Sequence, residues 1–268
     1  MKMLLIVLVI LAAIYLFMVS PRMFHKPDVS AFYGVHYAHR GLFDNKTNAP
    51  ENSLNAIRKA VKEGYGIEFD VQLSKDDIPV VFHDASLKRV CGVEGNVWEY
   101  TLEELQRMKL ADSDQTIPTF EDVLKVVDGK VPLIIEYKMD RVDTKVCELG
   151  NKILEHYKGT YCIESFHPYA VKWYKENCPD VVRGQLSEDY AKRGKKDFVL
   201  RIMTYLLTNF LTRPDFIAYC HEDAENVSRR ICRKLGALSV TWTVRSQEQY
   251  EKAKPHFDLF IFDSFILK

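Results

Sequence analysis

Two segments far apart in the chain carry charged side chains at a spacing of two. "GIEFDVQL" (66–73) holds Glu68 and Asp70, and "VPLIIEYK" (131–138) ends with Glu136 and Lys138. In a strand, residues i and i+2 share a face, so Glu68 and Asp70 point one way while Ile67, Phe69 and Val71 point the other. Three carboxylates converging on one point make a hard oxygen donor set. Such a set suits one divalent cation, Ca²⁺ or Mg²⁺, and not zinc, for which His and Cys are preferred. The alternative is a buried Glu68–Lys138 ion pair without metal.

Two histidines stand at strand ends in the same way. His39 and Arg40 close "GVHYAHR" (34–40), and His83 closes "PVVFH". Imidazole, with an ordinary pKa of ~6.5, gives and takes protons near neutrality, and two of them can divide general acid and base work. Arg40 offers a planar donor fork and Lys138 a point charge; with a metal they would form a pocket for a doubly substituted phosphate.

These residues need a scaffold that brings strand ends together. From Pro27 onward, short apolar runs alternate with helical patterns, and eight strands are read at 34–40, 66–73, 131–138, 160–166, 181–187, 215–221, 238–244 and 259–265. Parallel strands joined by crossover helices at this density predict an α/β fold, a closed (β/α)8 TIM barrel. Helices are expected at 50–64, where Pro50, Asn52 and the spacing of Leu54, Ile57 and Val61 mark a first turn and a buried face, ending at Gly64. Others are expected at 101–110, behind a Thr101/Glu104 capping box, and at 119–130, behind Thr119 and Asp122. A rim insertion after the second strand (76–118) contributes an extra strand and a glycine-punctuated loop.

The first segment differs in kind. Met3 to Pro21 contains no charged residue and as a helix would reach roughly 28 Å, close to the ~30 Å of a bilayer core. No good small-x-small cleavage site follows it, so residues 1–26 are read as an uncleaved transmembrane anchor and flank, and 27–268 as the barrel domain. Arg22, Lys26 and Arg40 against Lys2 lean towards a cytoplasmic catalytic domain. Six cysteines with no C-x-x-C pair read as reduced structural thiols and agree. With 37 basic and 37 acidic residues there is no basic field to hold nucleic acid.

The chain resembles the glycerophosphodiester phosphodiesterases, metal-dependent TIM barrels. The matching elements are "AHRG" with "APENS", "EFDV", "PVVFHD", "IPTFEDVL", "IEYK", "ESF" and "WTV", running from about residue 36 to the end. The resemblance implies that His39 and His83 are the catalytic histidines, Glu68, Asp70 and Glu136 the metal ligands, and Arg40 and Lys138 the phosphate-side cations, with Trp242 lining the alcohol pocket. It departs from the family at Arg245, where Asn often follows Trp-Thr-Val, and at "FDSF" (262–265), where Thr-Asp and a proline are usual.

The expected reaction is therefore metal-dependent hydrolysis of a glycerophosphodiester to glycerol phosphate and an alcohol. A lysophospholipase D-like activity on lysophospholipids is the alternative, motivated by "KRGKKDFVLRIMTYLLTNFLTR" (192–213), read as a basic cluster leading into an apolar helix. A non-catalytic anchored barrel binding a phosphorylated headgroup is the third reading. It would be expected to lack a histidine or a metal carboxylate, and every one of those positions is filled.

Overall fold

In the computed structural model, which describes residues 1–139, 142–195 and 197–267, eight parallel strands close on themselves. Chain order runs α1 (Lys2–Val19), β1 (His36–His39), α2 (Leu54–Glu63), β2 (Gly66–Leu73), β3 (Pro79–Val81), α3 (Lys88–Cys91), α4 (Leu102–Leu105), α5 (Phe120–Val127) and β4 (Leu133–Tyr137). It continues through α6 (Lys145–Leu154), β5 (Tyr161–Ser165), α7 (Pro168–Asn177), β6 (Arg183–Ser187), α8 (Phe198–Thr204), α9 (Asn209–Thr212), β7 (Phe216–Cys220), α10 (Val227–Lys234), β8 (Leu238–Val244), α11 (Gln247–Ala253) and β9 (Leu259–Phe262). The order β1-β9-β8-β7-β6-β5-β4-β2 is closed by parallel pairing of β1 with β2, and β3 lies antiparallel on β2. This is a TIM barrel with one added strand.

Alternation along each strand divides apolar from polar. Outward-facing Ala38, Ile67, Phe69, Ile135 and Ile163 meet the surrounding helices in the larger core. Inside, Tyr37, Ile134, Phe216, Leu238 and Leu259 plug the end where the strands begin, with Phe32 across them. A Cβ on Gly184 would lie 2.0 Å from the Phe216 ring, so glycine lets that ring fill the axis. The lumen above the plug is where Glu68, Asp70, Glu136 and Glu164 are buried.

The insertion has its own small core of Val80, Phe82, Leu87, Val90, Val97, Leu105, Leu110 and Ile117. Within it, the helix expected at 101–110 stops at Leu105. Its Thr101/Glu104 capping box forms, but Leu110 is also fully buried, and the chain straightens into a bridge between Lys109 and Thr116 to reach that core. The expectation at 119–130 is met by α5, with the Thr119 hydroxyl accepting from the Asp122 N–H.

The run 192–213 also differs from the expected single helix. Leu206, fully buried, takes φ 54° and separates α8 from α9. Two of its basic residues are engaged in ion pairs: Lys192 Nζ lies 2.9 Å from Asp223, and Arg193 reaches Glu188 at 2.6 Å and Asp223 at 3.0 Å. Lys196 of this run lies outside the described residues.

Helix α1 has a mean hydropathy of 2.8 and is exposed along most of its length. Its last turn is held by the barrel. Asn209 Nδ2 donates to the Val19 carbonyl at 2.9 Å, Arg213 Nη1 to those of Phe17 and Ser20 at 3.0 and 2.8 Å, and Tyr15 Oη lies 2.8 Å from Ser228 Oγ.

Candidate active site

Strand β2 is buried on both faces, and its polar face aims Glu68 and Asp70 into the lumen as the i, i+2 spacing requires. Register does the rest: Asp70 is paired with Glu136 of β4, and Glu136 with Glu164 of β5. One oxygen from each of Glu68, Asp70 and Glu136 lies within 4.8 Å of the others. Lys138 Nζ sits 2.9 Å from Asp70 and 2.7 Å from Glu136. The pairing weighed from sequence, Glu68 with Lys138, is replaced by these two contacts, because the lysine follows Glu136 by two residues and shares its side of β4.

Charge at this point is unbalanced. Glu68, Asp70, Glu136 and Glu164 are all buried, facing the two cations Arg40 and Lys138. Burial, then repulsion from Asp70, Glu136 and Glu164, pushes the Glu68 carboxyl well up. Burial also raises Glu136 and Glu164, and Glu164 Oε2 has no hydrogen-bond partner among the described residues. Asp70 goes the other way: burial would raise it, but Lys138, His83 and Arg40 hold it low. A hard dication fits this donor set on two counts, the all-oxygen chemistry and the excess of buried carboxyls over cations.

Strand β1 ends in a turn that hands two groups to the site. Arg40 takes φ 56° and Gly41 φ 80°, and a Cβ on Gly41 would lie 2.8 Å from the Ala56 backbone of α2, so the turn needs glycine there. The Arg40 N–H donates to Glu68 Oε2 at 3.2 Å, while its guanidinium lies 3.6 Å from Asp70 and 2.7 Å from Glu51. His39 Nδ1 lies 2.8 Å from Asp263 Oδ2, and its Nε2 3.9 Å from Glu68. Burial, partly offset by Asp263, lowers the His39 pKa to about 4. His83 is held alike, with Nδ1 2.6 Å from Asp84 Oδ1.

Both imidazoles open on one cavity of about 270 Å³, lined also by Arg40, Glu68, Glu136 and Trp242. Trp242 packs edge-on against Phe166 at 5.4 Å, and its Nε1 is a buried donor with no partner among the described residues. All eight residues singled out from the sequence thus lie in or against this space, Asp70 and Lys138 through their contacts with Arg40 and Glu136.

Several supporting residues escaped the sequence reading. Asn52, read as a helix-start signal, precedes the true cap, Ser53; it takes φ 59° and donates from Nδ2 to Asp70 Oδ2 at 2.9 Å. Glu51 bridges Arg40 and Arg89, and Arg89 also grips Asp84, so the insertion is tied to both histidine segments. Their signals were present in "APENS" and "PVVFHD" but carried no distinguishing spacing. Asp263 lay inside the departing "FDSF", and Arg245, the other departure, is its partner at 3.1 Å. The late departures therefore reach His39 itself.

Comparison with known proteins agrees with this geometry. Residues 39–264 match the glycerophosphoryl diester phosphodiesterase family. A glycerophosphodiester phosphodiesterase of Caldanaerobacter subterraneus is 32% identical over 226 residues, covering 80% of this chain and 87% of that one. Among solved structures, a glycerophosphodiester phosphodiesterase from Thermotoga maritima superposes with a TM-score of 0.66 at 26% identity, covering 87% of this chain and 96% of that one. The fold is shared with an Oleispira antarctica phosphodiesterase in complex with the product sn-glycerol-3-phosphate, at a TM-score of 0.71 and 22% identity, covering 87% and 94%. A family match over most of the chain and a close relative matched along nearly its whole length lead to one assignment: this chain is an enzyme of the glycerophosphoryl diester phosphodiesterase family.

Proposed function

We propose that the chain hydrolyses glycerophosphodiesters to glycerol phosphate and a free alcohol with one divalent cation and two histidines. The observation that carries this reading is the convergence of three carboxylate oxygens within 4.8 Å of one another in a lumen whose cavity is shared by two carboxylate-oriented imidazoles. Glu68, Asp70 and Glu136 would hold the cation. Ca²⁺ or Mg²⁺ bound there would supply Lewis-acid polarisation of a phosphoryl oxygen.

The remaining work falls to side chains. Arg40 and Lys138 present positive charge where the phosphoryl oxygens accumulate negative charge, inside a site that excludes most water. Asp263 and Asp84 accept the Nδ1–H of His39 and His83, which orients each ring and leaves its Nε2 to exchange protons with the substrate. One Nε2 takes the proton from the attacking hydroxyl, of water or of the substrate's own glycerol. The other, starting with a proton on Nε2, gives that proton to the leaving oxygen as the P–O bond to the alcohol breaks. Where the glycerol hydroxyl attacked, water then opens the cyclic phosphate to glycerol phosphate by the reverse proton exchange. Trp242 lines the alcohol side and offers its unpartnered Nε1–H to an oxygen there.

His39→Ala and His83→Ala should each abolish turnover of glycerophosphocholine in the dication-loaded enzyme while leaving the circular dichroism spectrum and unfolding midpoint near the parent's. Retained turnover in either variant sinks the two-histidine reading.

A lysophospholipid substrate is a second reading, favoured by the exposed Phe198 and Val199 at the start of α8. Relative turnover of lysophosphatidylcholine and glycerophosphocholine separates the two. We read α1 as a membrane anchor with the barrel on the cytoplasmic side; the six free thiols support that side, and protease protection in right-side-out and inverted vesicles tests it.

A further inference from the structure

The contacts of α1 fix a direction. Helix α10 leaves the carboxyl end of β7 at the catalytic mouth and returns to the start of β8 at the opposite, plugged end, so its residue numbers measure depth along the barrel. Tyr15 meets Ser228 in its first turn, the Val19 carbonyl accepts from Cys232 one turn lower, and Lys26 Nζ donates to the Gly236 carbonyl beyond its end. Arg22 continues the descent, bonding the Pro179 carbonyl and lying 3.6 Å from Asp215, residues just before β6 and β7. The chain from 15 to 26 therefore runs from mouth to base. Everything before Tyr15 must then rise past the mouth, not away from the base.

From this course we infer that α1 leads into a bilayer lying over the catalytic mouth, so that the rim beside α8 and α10 docks on the lipid surface. The inference rests on the reading of α1 as an anchor. Only the part of α1 before Tyr15 stands clear of the barrel, roughly 20 Å of helix, whereas a hydrocarbon core is ~30 Å thick. The shortfall of roughly 10 Å favours the bilayer closing down on the barrel until the adjoining rim meets the interface.

That rim has matching chemistry. Ser187, the last residue of β6, donates from Oγ to the Met203 carbonyl, and Asn226, the cap of α10, donates to that of Thr204, so α8 sits at the mouth level. Phe198 and Val199 at its start are 74% and 61% exposed, and Val227 at the start of α10 is 52% exposed. Tyr15 and Tyr205 supply amphipathic aromatics of the kind enriched at a membrane interface. Arg213, stacked on Phe17 at 4.7 Å, fastens the helix to the barrel and holds its angle. The partner is a lipid surface, and a phosphodiester headgroup would reach His39 and His83 from that side.

Labelling depth tests this in the full chain. Single cysteines at Val227 and Lys234, opposite ends of one helix, and at Phe198 and Asp180, are introduced with Cys91 and Cys178 replaced by serine. Each is labelled with an environment-sensitive fluorophore, and the protein is reconstituted into phosphatidylcholine vesicles carrying a lipid-borne quencher. Labels at 198 and 227 should be quenched several-fold more than those at 180 and 234. Equal quenching at both ends, or stronger quenching at 180 and 234, overturns the orientation, as does failure of the protein to float with the vesicles. Depth is read without turnover, so an inactive enzyme with a quenched rim would count against the hydrolytic reading alone.

Discussion

Asp263 Oδ2 lies 2.8 Å from His39 Nδ1, joining the end of the last barrel strand to the end of the first. Burial pushes the Asp263 pKa up, but the His39 bond outweighs it and brings the group to about 2. A carboxylate so placed orients the imidazole and stabilises the imidazolium formed during proton transfer, without itself reaching substrate. Asp263→Asn should then lower kcat by up to about 10⁴-fold, the drop that the comparable substitution causes in serine proteases, with KM changed far less. Steady-state kinetics against glycerophosphocholine provides the measurement; an unchanged kcat would reduce the contact to packing.

The cation reading has a readout independent of turnover. Four buried carboxyls against two cations destabilise the fold locally, so a dication that binds only the folded chain should raise its unfolding midpoint. At a hundredfold excess over Kd the gain is about 2.7 kcal/mol. Asp70→Asn should lose most of that shift, since Asp70 is the carboxylate that Lys138 and Arg40 hold ionised. Calorimetric scans with and without Mg²⁺ or Ca²⁺ decide; no shift in the parent chain would leave the carboxyl cluster as a purely structural ion-pair network.

How much of this was legible follows from the range of each signal. Glu68 with Asp70 and Glu136 with Lys138 were readable because strand period is local, and eight apolar strand segments fixed the barrel that brings them together. The role of Asn52 was not, because its left-handed backbone and its reach to Asp70 depend on how α2 docks, and the same "PENS" reads equally well as a helix start. Likewise Asp263 meets His39 only because β9 closes against β1, a pairing across 224 residues of sequence. The overestimate of the helix at 101–110 has the converse cause: a correct local cap was overridden by burial of Leu110 in the insertion core.

Glu51 gives a pH dependence with a definite sign. Burial raises its pKa, but Arg89, Arg40 and Asn45 outweigh this and bring it to about 2. A depressed carboxylate contributes stability that is fully present above its unfolded value of roughly 4.3 and is lost as pH falls towards 2. A shift of this size corresponds to roughly 3 kcal/mol. Urea unfolding should show Glu51→Gln destabilised by about that amount at pH 7, with the gap to the parent narrowing steadily between pH 5 and pH 3. A gap independent of pH would assign the loss to packing.

The last prediction concerns where the barrel domain begins. Sequence composition places the boundary at residues 26 and 27, yet the barrel takes hold of the chain earlier. Val19 is fully buried, its carbonyl accepts from Asn209, and Arg22 lies against Asp215. A chain beginning at Pro27 leaves Asn209 Nδ2 and the Cys232 thiol without the Val19 carbonyl and removes one of the cations near Asp215, whereas one beginning at Tyr15 keeps all three contacts. Each lost buried partner costs about 1 kcal/mol, so 15–268 should exceed 27–268 by about 2–3 kcal/mol, a midpoint difference of roughly 4–12 °C for a domain of this size. Thermal unfolding of the two truncations in the same detergent measures it. Equal midpoints would mean that the segment from Tyr15 to Lys26 rests on the barrel without stabilising it, and α1 would then be free to swing away from the mouth.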